Sequence, residues 1–409
     1  MNKKRALGVL SAAAVAASLA ACSGSGFGGG DSTQNSTAPL NILIGSSGDA
    51  ETKAVESAVK AWSDKSGIEA TVTVASDLNQ QLAQGFSSGN PPDVFYMSAD
   101  QFSGYAANGS LLAYGDDLAN KDDFYPSLVS SFTFDGKFYC APKDFSTLQL
   151  IINTDLWTAA GLTDADIPKT WDDLTAVATK LTSGTTTGLV IGGEYARVGA
   201  FMTQAGGNLM NDDSTQATAD TPENLAALDY VKANLTSGVF KYAADVGAGW
   251  GGEAFGKQLG AMTIEGNWIT GAMTNDYPDV KYKVAELPEG PAGKGTLAFT
   301  NCWGVAADSG NTEGALDLVA QLTSTDDQLA FSKAFGVMPS IQSAADQWTS
   351  ENPALEPFLL GAAYAKGVPT AQGAADVVSD FNSQVAQLKT GDPKAILTST
   401  QANLEALLK

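Results

Sequence analysis

The stretch FYCAPKDFSTLQLIIN, residues 138–153, reads as one long apolar strand that nevertheless carries Asp144, Ser146 and Gln149. A strand buried on both faces is ordinarily a near-continuous run of Val, Ile and Leu, so polar side chains inside one must find partners or meet a ligand. A carboxylate such as Asp144 has the least excuse, because a buried, unpaired charge is strongly disfavoured. The chemistry open to these groups is hydrogen bonding. Planar acceptors and amides suit the hydroxyl edges of a polyhydroxylated molecule, and aromatic planes suit its C–H faces. Trp268 is the leading plane, since AMTIEGNW sets Glu265 and Asn267 on the same loop. Trp250, in the glycine-rich VGAGWGGEAF, and Trp303, two residues beyond Asn301, are the other two. Trp62 and Trp171 fall on the apolar faces of helical stretches and are read as core.

Composition removes several alternatives. The 409 residues include 45 acidic and 23 basic side chains, three cysteines and no histidine, for a formal charge of −22. Without histidine the usual general base, a Ser-His-Asp arrangement and the commonest zinc ligand are all missing. No GxxxxGK[ST] stretch occurs, and no glycine fingerprint follows a strand and opens a helix. The expectation is therefore no catalytic residue, no cofactor and no metal. Hydrolysis by a pair of carboxylates stays formally open. The negative charge argues against nucleic acid as a partner.

The first forty residues carry their own signal. Lys3, Lys4 and Arg5 precede an apolar run from Ala6 to Ala21, too short to span a bilayer and laid out like a secretory leader. Its end, Leu19-Ala20-Ala21-Cys22, resembles the lipobox of bacterial lipoproteins, in which the cysteine is lipidated and becomes the first mature residue. The resemblance implies a signal peptide over 1–21 and lipidation at Cys22. It places the protein on the extracellular face of the cell membrane, in the manner of a Gram-positive lipoprotein. Residues 22–38, rich in Gly, Ser and Thr, read as a flexible tether. In an oxidising compartment Cys140 and Cys302 have two readings: a disulfide closing a long loop, or two separate buried thiols.

From Leu40 onward strands alternate with helices, the pattern of βαβ units and a parallel sheet. Val55, Ala58, Val59 and Trp62 share a helix face that Gly67 stops. Asp135-Gly136 between two apolar runs predicts a hairpin, and Thr170 with Asp173 predicts a capped helix start. The length exceeds what one core fills, so two lobes are expected.

Several stretches carry a resemblance. FDGKFYCAPKDFSTLQLIINTDLWTAAGL followed by IPKTWDDL looks like the crossover segment of the extracellular solute-binding proteins of ABC importers, in the carbohydrate-binding family that includes maltose-binding protein. NPPDVFYMSADQFSGYAANGSL, GAMTIEGNWITGAM, NTEGALDLVAQLTSTDDQLAF and GVMPSI are similar to further family stretches, in the same order. The resemblance implies an α/β, two-lobed periplasmic-binding-protein fold of type II with crossing hinge segments. Residues 39–144 and 303–342 would form lobe one, and 145–302 and 343–409 lobe two. It implies a monomer that closes over an oligosaccharide and hands it to the transmembrane subunits of a permease. Carried over by position, ligand contacts fall on Ser47, Asp49, Asp100, Gln101, Asp144, Ser146, Glu194, Tyr195, Glu265, Asn267 and Trp268. Where maltose-binding protein has an acidic crossover residue this chain has Ser146, with Asp144 two residues earlier, which leaves the sugar open. A receptor for another solute (a polyol, glycerol phosphate, peptide or polyamine) is the alternative on the same fold. A secreted carboxylate-dependent glycosidase is the alternative from another class.

Overall fold

Short β-branched and aliphatic runs make the strands, and many are followed by a helix whose apolar stripe covers a sheet. A computed structural model describes residues 35–46 and 48–409. The stretch read as a leader, Cys22, most of the stretch read as a tether, and Ser47 lie outside the described residues. The strands are β1 (Leu40–Ile44), β2 (Ala70–Val74), β3 (Val94–Ser98), β4 (Thr133–Phe134), β5 (Lys137–Phe138), β6 (Ala141–Thr147) and β7 (Gln149–Asn153). Then follow β8 (Thr187–Ile191), β9 (Phe240–Tyr242), β10 (Gly260–Glu265), β11 (Tyr282–Ala285), β12 (Thr296–Val305) and β13 (Ala365–Lys366).

Two main sheets result. The first runs β13-β12-β3-β1-β2, with β6 also paired to β12; the second runs β11-β7-β10-β8-β9. The β1–β2, β1–β3, β8–β9 and β8–β10 pairs are parallel, as the alternation of strands and helices predicts. Each sheet also carries antiparallel strands, β12 beside β3 in the first and β7 beside β10 and β11 in the second.

The predicted local structure is present. Helix Asp49–Ser66 buries Val55, Ala58, Val59 and Trp62 and ends at Gly67, whose φ of 74° only glycine adopts at little cost. Asp135 and Gly136, at φ 49° and 71°, turn the β4–β5 hairpin. Thr170 and Asp173 form a reciprocal capping box on helix Trp171–Leu181.

Each sheet has its own core. Leu40, Val55, Trp62, Val94, Phe102, Trp303 and Leu318 pack in the first. Leu150, Trp171, Leu189, Phe201 and Phe240 pack in the second, which the helices Ala374–Val385 and Pro393–Leu407 also cover through Phe381, Val385 and Leu397. A third cluster, around Phe145, Ile151, Phe255, Met338, Trp348 and Phe358, lies where the chain passes from one to the other.

The stretch 138–153 is two strands, not one. β6 belongs to the first sheet through β12, while β7 belongs to the second. The break falls at Leu148, whose side chain enters the second core and whose N–H donates to the Leu297 carbonyl at 3.3 Å. β6 and β12 thus cross side by side between the two cores. They are joined by the disulfide Cys140–Cys302, whose Cα atoms are 5.6 Å apart. The pairing settles the choice between disulfide and separate thiols.

Candidate ligand-binding site

The crossing strands form the floor of a cleft. Along β12 the register pairs Asn301 with Asp144 and Cys302 with Pro142, so Lys143 is an extra residue on β6, a β-bulge. The bulge lets consecutive residues face the same way, and both Lys143 and Asp144 line the cleft. The Lys143 ammonium pairs with Asp144 Oδ2 and lies 3.3 Å from Glu51 Oε1. It also stands 4.3 Å from the centroid of the Tyr96 ring. All four residues are buried. Burial raises the Asp144 pKa, with the Lys143 charge acting against it. Burial also works against the lysine charge, but Asp144, Tyr96 and Glu51 outweigh it and its pKa is raised.

The other polar residues of the crossing strands divide by role. Gln149 is wholly structural: its amide donates to the Pro357 carbonyl at 2.6 Å and its oxygen accepts the Leu287 N–H at 3.0 Å. Ser146 ties the strand to the second sheet, its hydroxyl accepting the Asn267 N–H at 2.8 Å. Asn267 in turn donates its side-chain amide to the Gly336 carbonyl at 2.9 Å. Next to it stands Trp268, 39% exposed, a rare solvent-facing aromatic among the described residues.

Asp100, Asp144, Ser146, Asn267, Trp268 and Asn301 come together around this one cleft of about 760 Å³. Asp100 is the second residue of helix Ala99–Ala107, which Ser98 precedes. The cleft adjoins, through Ser131 and Val368, a second hollow of about 270 Å³ lined by Asn208, Asn211, Ser214 and Thr370 among others.

The remaining expected contacts lie elsewhere. Asp49 points into solvent from the first turn of its helix, its side chain 98% exposed. Gln101 is half-buried one residue beyond Asp100 and is not part of the cleft lining. Trp303 is a core residue: β12 runs out of the cleft after Asn301, and Trp303 packs edge-on against Tyr96 at 4.7 Å between centroids, so that Tyr96 is the ring lining the cleft. Trp250 is half-buried against the cluster of Phe255, Ile269 and Met273, because the glycine loop that holds it caps a short helix, Gly251–Gly256. Tyr195 is buried in the second core and donates its hydroxyl to Asn208. Glu194, 3.2 Å from Arg197, and the fully buried Glu265, which pairs with Arg197, are not part of the cleft lining. Burial raises the pKa of both carboxyls, against the Arg197 charge.

Sequence reasoning missed Glu51, Lys143, Tyr96, Phe299 and Phe335 on the cleft wall. Two had a legible signal. Glu51 lies four residues before Val55 on the apolar helix stripe, and Lys143 stands directly beside the acid that was noticed.

A family model described as bacterial extracellular solute-binding protein matches residues 57–357, most of the chain. The chain belongs to that family. Among related sequences, this solute-binding protein is 26% identical over 347 residues to a protein of Brucella abortus (strain 2308) named as a binding protein, covering 81% of this chain and 83% of the other. It is 26% identical over 393 residues to the diacetylchitobiose binding protein DasA of Streptomyces coelicolor, covering 91% and 88%. Among solved structures, the cyclic α-maltosyl-1,6-maltose binding protein of Arthrobacter globiformis superposes with a TM-score of 0.81 at 23% identity, over 91% of this chain and 99% of that one. The fold is therefore the two-lobed one of periplasmic binding proteins, with the two sheets as the lobes.

Proposed function

We propose that this solute-binding protein captures an uncharged oligosaccharide between its lobes and delivers it to an ABC permease, acting as a lipid-anchored monomer on the outer face of the cell membrane. The observation that carries the reading is an exposed indole, Trp268, standing over a floor of buried hydrogen-bonding groups in a cleft of about 760 Å³. Such a wall meets a sugar's C–H face while the floor meets its hydroxyls. The adjoining hollow, lined by amides and hydroxyls, extends the groove beyond one ring. Lys143 does not make an anion site, because Glu51 and Asp144 already balance it. The same pairing occupies the two buried carboxylates of the cleft floor, which supports a receptor without chemistry of its own. The names of related proteins, which include a diacetylchitobiose binder, agree with a saccharide.

A panel of chitin-derived and malto-oligosaccharides, titrated calorimetrically, should show saturable binding, with a smaller radius of gyration in solution scattering when bound. On the saccharide that binds, Trp268→Ala should weaken affinity roughly thirtyfold, about 2 kcal/mol, the scale of a central aromatic contact. No binding across the panel, with a polyamine or glycerol phosphate bound instead, would move the reading to the other solutes. A labelled fatty acid fed to the producing cells should be incorporated into the protein and not into Cys22→Ser; an unlabelled parent protein would refute the anchor. Among the described residues no helix is long and apolar enough to cross a membrane.

A further inference from the structure

Beside Trp268 lies a buried carboxylate with half-buried charged neighbours, a group that the cleft does not use. Glu265 Oε2 accepts the Trp268 indole N–H at 2.9 Å and also pairs with the Arg197 guanidinium. Arg197 reaches Glu194 on its other side at 3.2 Å, and its guanidinium carbon stands 5.6 Å from the Trp268 ring centroid, over the ring. Phe299 meets the indole edge-on, at 5.6 Å and 81°. A side chain at Gly266 would run into the indole ring, so the ring rests on bare backbone there. A Cβ at Gly251 would come within 2.6 Å of Glu265 Oε1 and 2.7 Å of the Thr263 hydroxyl. The glycine-rich loop thus leaves room for the carboxylate.

This arrangement is expensive for stability alone. Glu265 is fully buried, its Oε1 has no hydrogen-bond partner among the described residues, and neither has Arg197 Nε. Apolar residues of similar volume would ordinarily serve a core as well or better than such a pair. What the pair does supply is direction: one fixed acceptor for the indole N–H and one cation over the ring. We propose that Arg197, Glu265 and the two glycines Gly251 and Gly266 are positioning residues that lock Trp268 in one orientation before ligand arrives, closing one face of the indole and leaving the other to the cleft. The proposal rests on the reading of the cleft as the ligand site. It adds that the site stacks a single ring on Trp268, on one side only, with little rotamer freedom left to lose on binding.

The test needs no ligand, so it stands apart from the saccharide reading. The full chain labelled with ¹⁵N has seven tryptophans and therefore seven indole N–H resonances, of which Trp268 is identified by its disappearance in Trp268→Phe. In the unaltered protein its indole proton should exchange with water at least tenfold more slowly than that of free tryptophan, although the residue is 39% exposed. In Glu265→Gln and in Gly266→Ala, the latter leaving every charge in place, the Trp268 resonance should shift and its protection should fall, while the other six stay put. Arg197→Lys, which keeps the charge but not the fork, should give a smaller shift. Exchange at the free rate in the unaltered protein overturns the proposal without any variant, and so decides the matter even where Glu265→Gln fails to fold. A Gly266→Ala protein in which Trp268 is unmoved, or in which all seven resonances move together, overturns it equally.

Discussion

Lys143→Met should destabilise the protein by about 3–5 kcal/mol near neutral pH, the range seen when one partner of a buried ion pair is removed. The lysine is the cation between Glu51 and Asp144 at the base of the cleft, and all three side chains are nearly dry. Methionine fills a similar volume, so the loss isolates charge from packing. The loss should also depend on pH, with a defined sign. Burial already raises the folded-state pKa of Asp144, and Lys143 is the group that opposes the rise. Without the lysine the folded protein holds a proton on this carboxyl at pH values where the unfolded chain has released it, so stability falls as pH rises through the folded-state pKa. Urea unfolding of Lys143→Met at pH 5 and pH 7.5 should therefore show the smaller deficit at pH 5. Combining it with Glu51→Gln and Asp144→Asn should recover most of the stability. A deficit under about 1 kcal/mol at both pH values would mean that the three groups are not the dry cluster described here.

Cys140→Ala with Cys302→Ala should lower unfolding stability by about 4 kcal/mol, close to the upper end for a disulfide because the closed loop is long. The bridged residues are 162 apart in sequence, and both sulfurs lie in the first lobe's core. The bond also fixes the neighbouring crossing strands to each other at their lobe-one end, so that β6 and β12 leave that lobe as one unit. Denaturant midpoints of the double variant against the oxidised parent measure the effect; a difference below about 1 kcal/mol would show that the reduced chain already holds these strands together.

Much of the fold was legible because it rests on local rules. The helix over Val55 to Trp62, its glycine stop, the Asp135-Gly136 hairpin and the Thr170 cap all follow from side-chain spacing and backbone preference within a few residues. The site was legible only in part. Asp144, Ser146, Asn267, Trp268, Asp100 and Asn301 share a cleft, but Trp303, Trp250, Glu265 and Tyr195 do not line it. Asp49 and Glu51 show why. Two residues apart on one helix, they face opposite ways, and only the buried stripe that carries Val55 says which turns inward.

What the sequence by itself determined is the class: a chain without histidine, strands alternating with helices, and a crossover whose apolar run is interrupted by polar residues. What the tertiary structure decided is which polar groups meet a ligand and which serve one another. A bulge at Lys143 turns two neighbours to the same side, and partners more than sixty residues away bury Glu265 behind a tryptophan that it steers. Local preference depends on near neighbours along the chain, whereas the desolvation that gives a charge its role depends on everything packed around it in space.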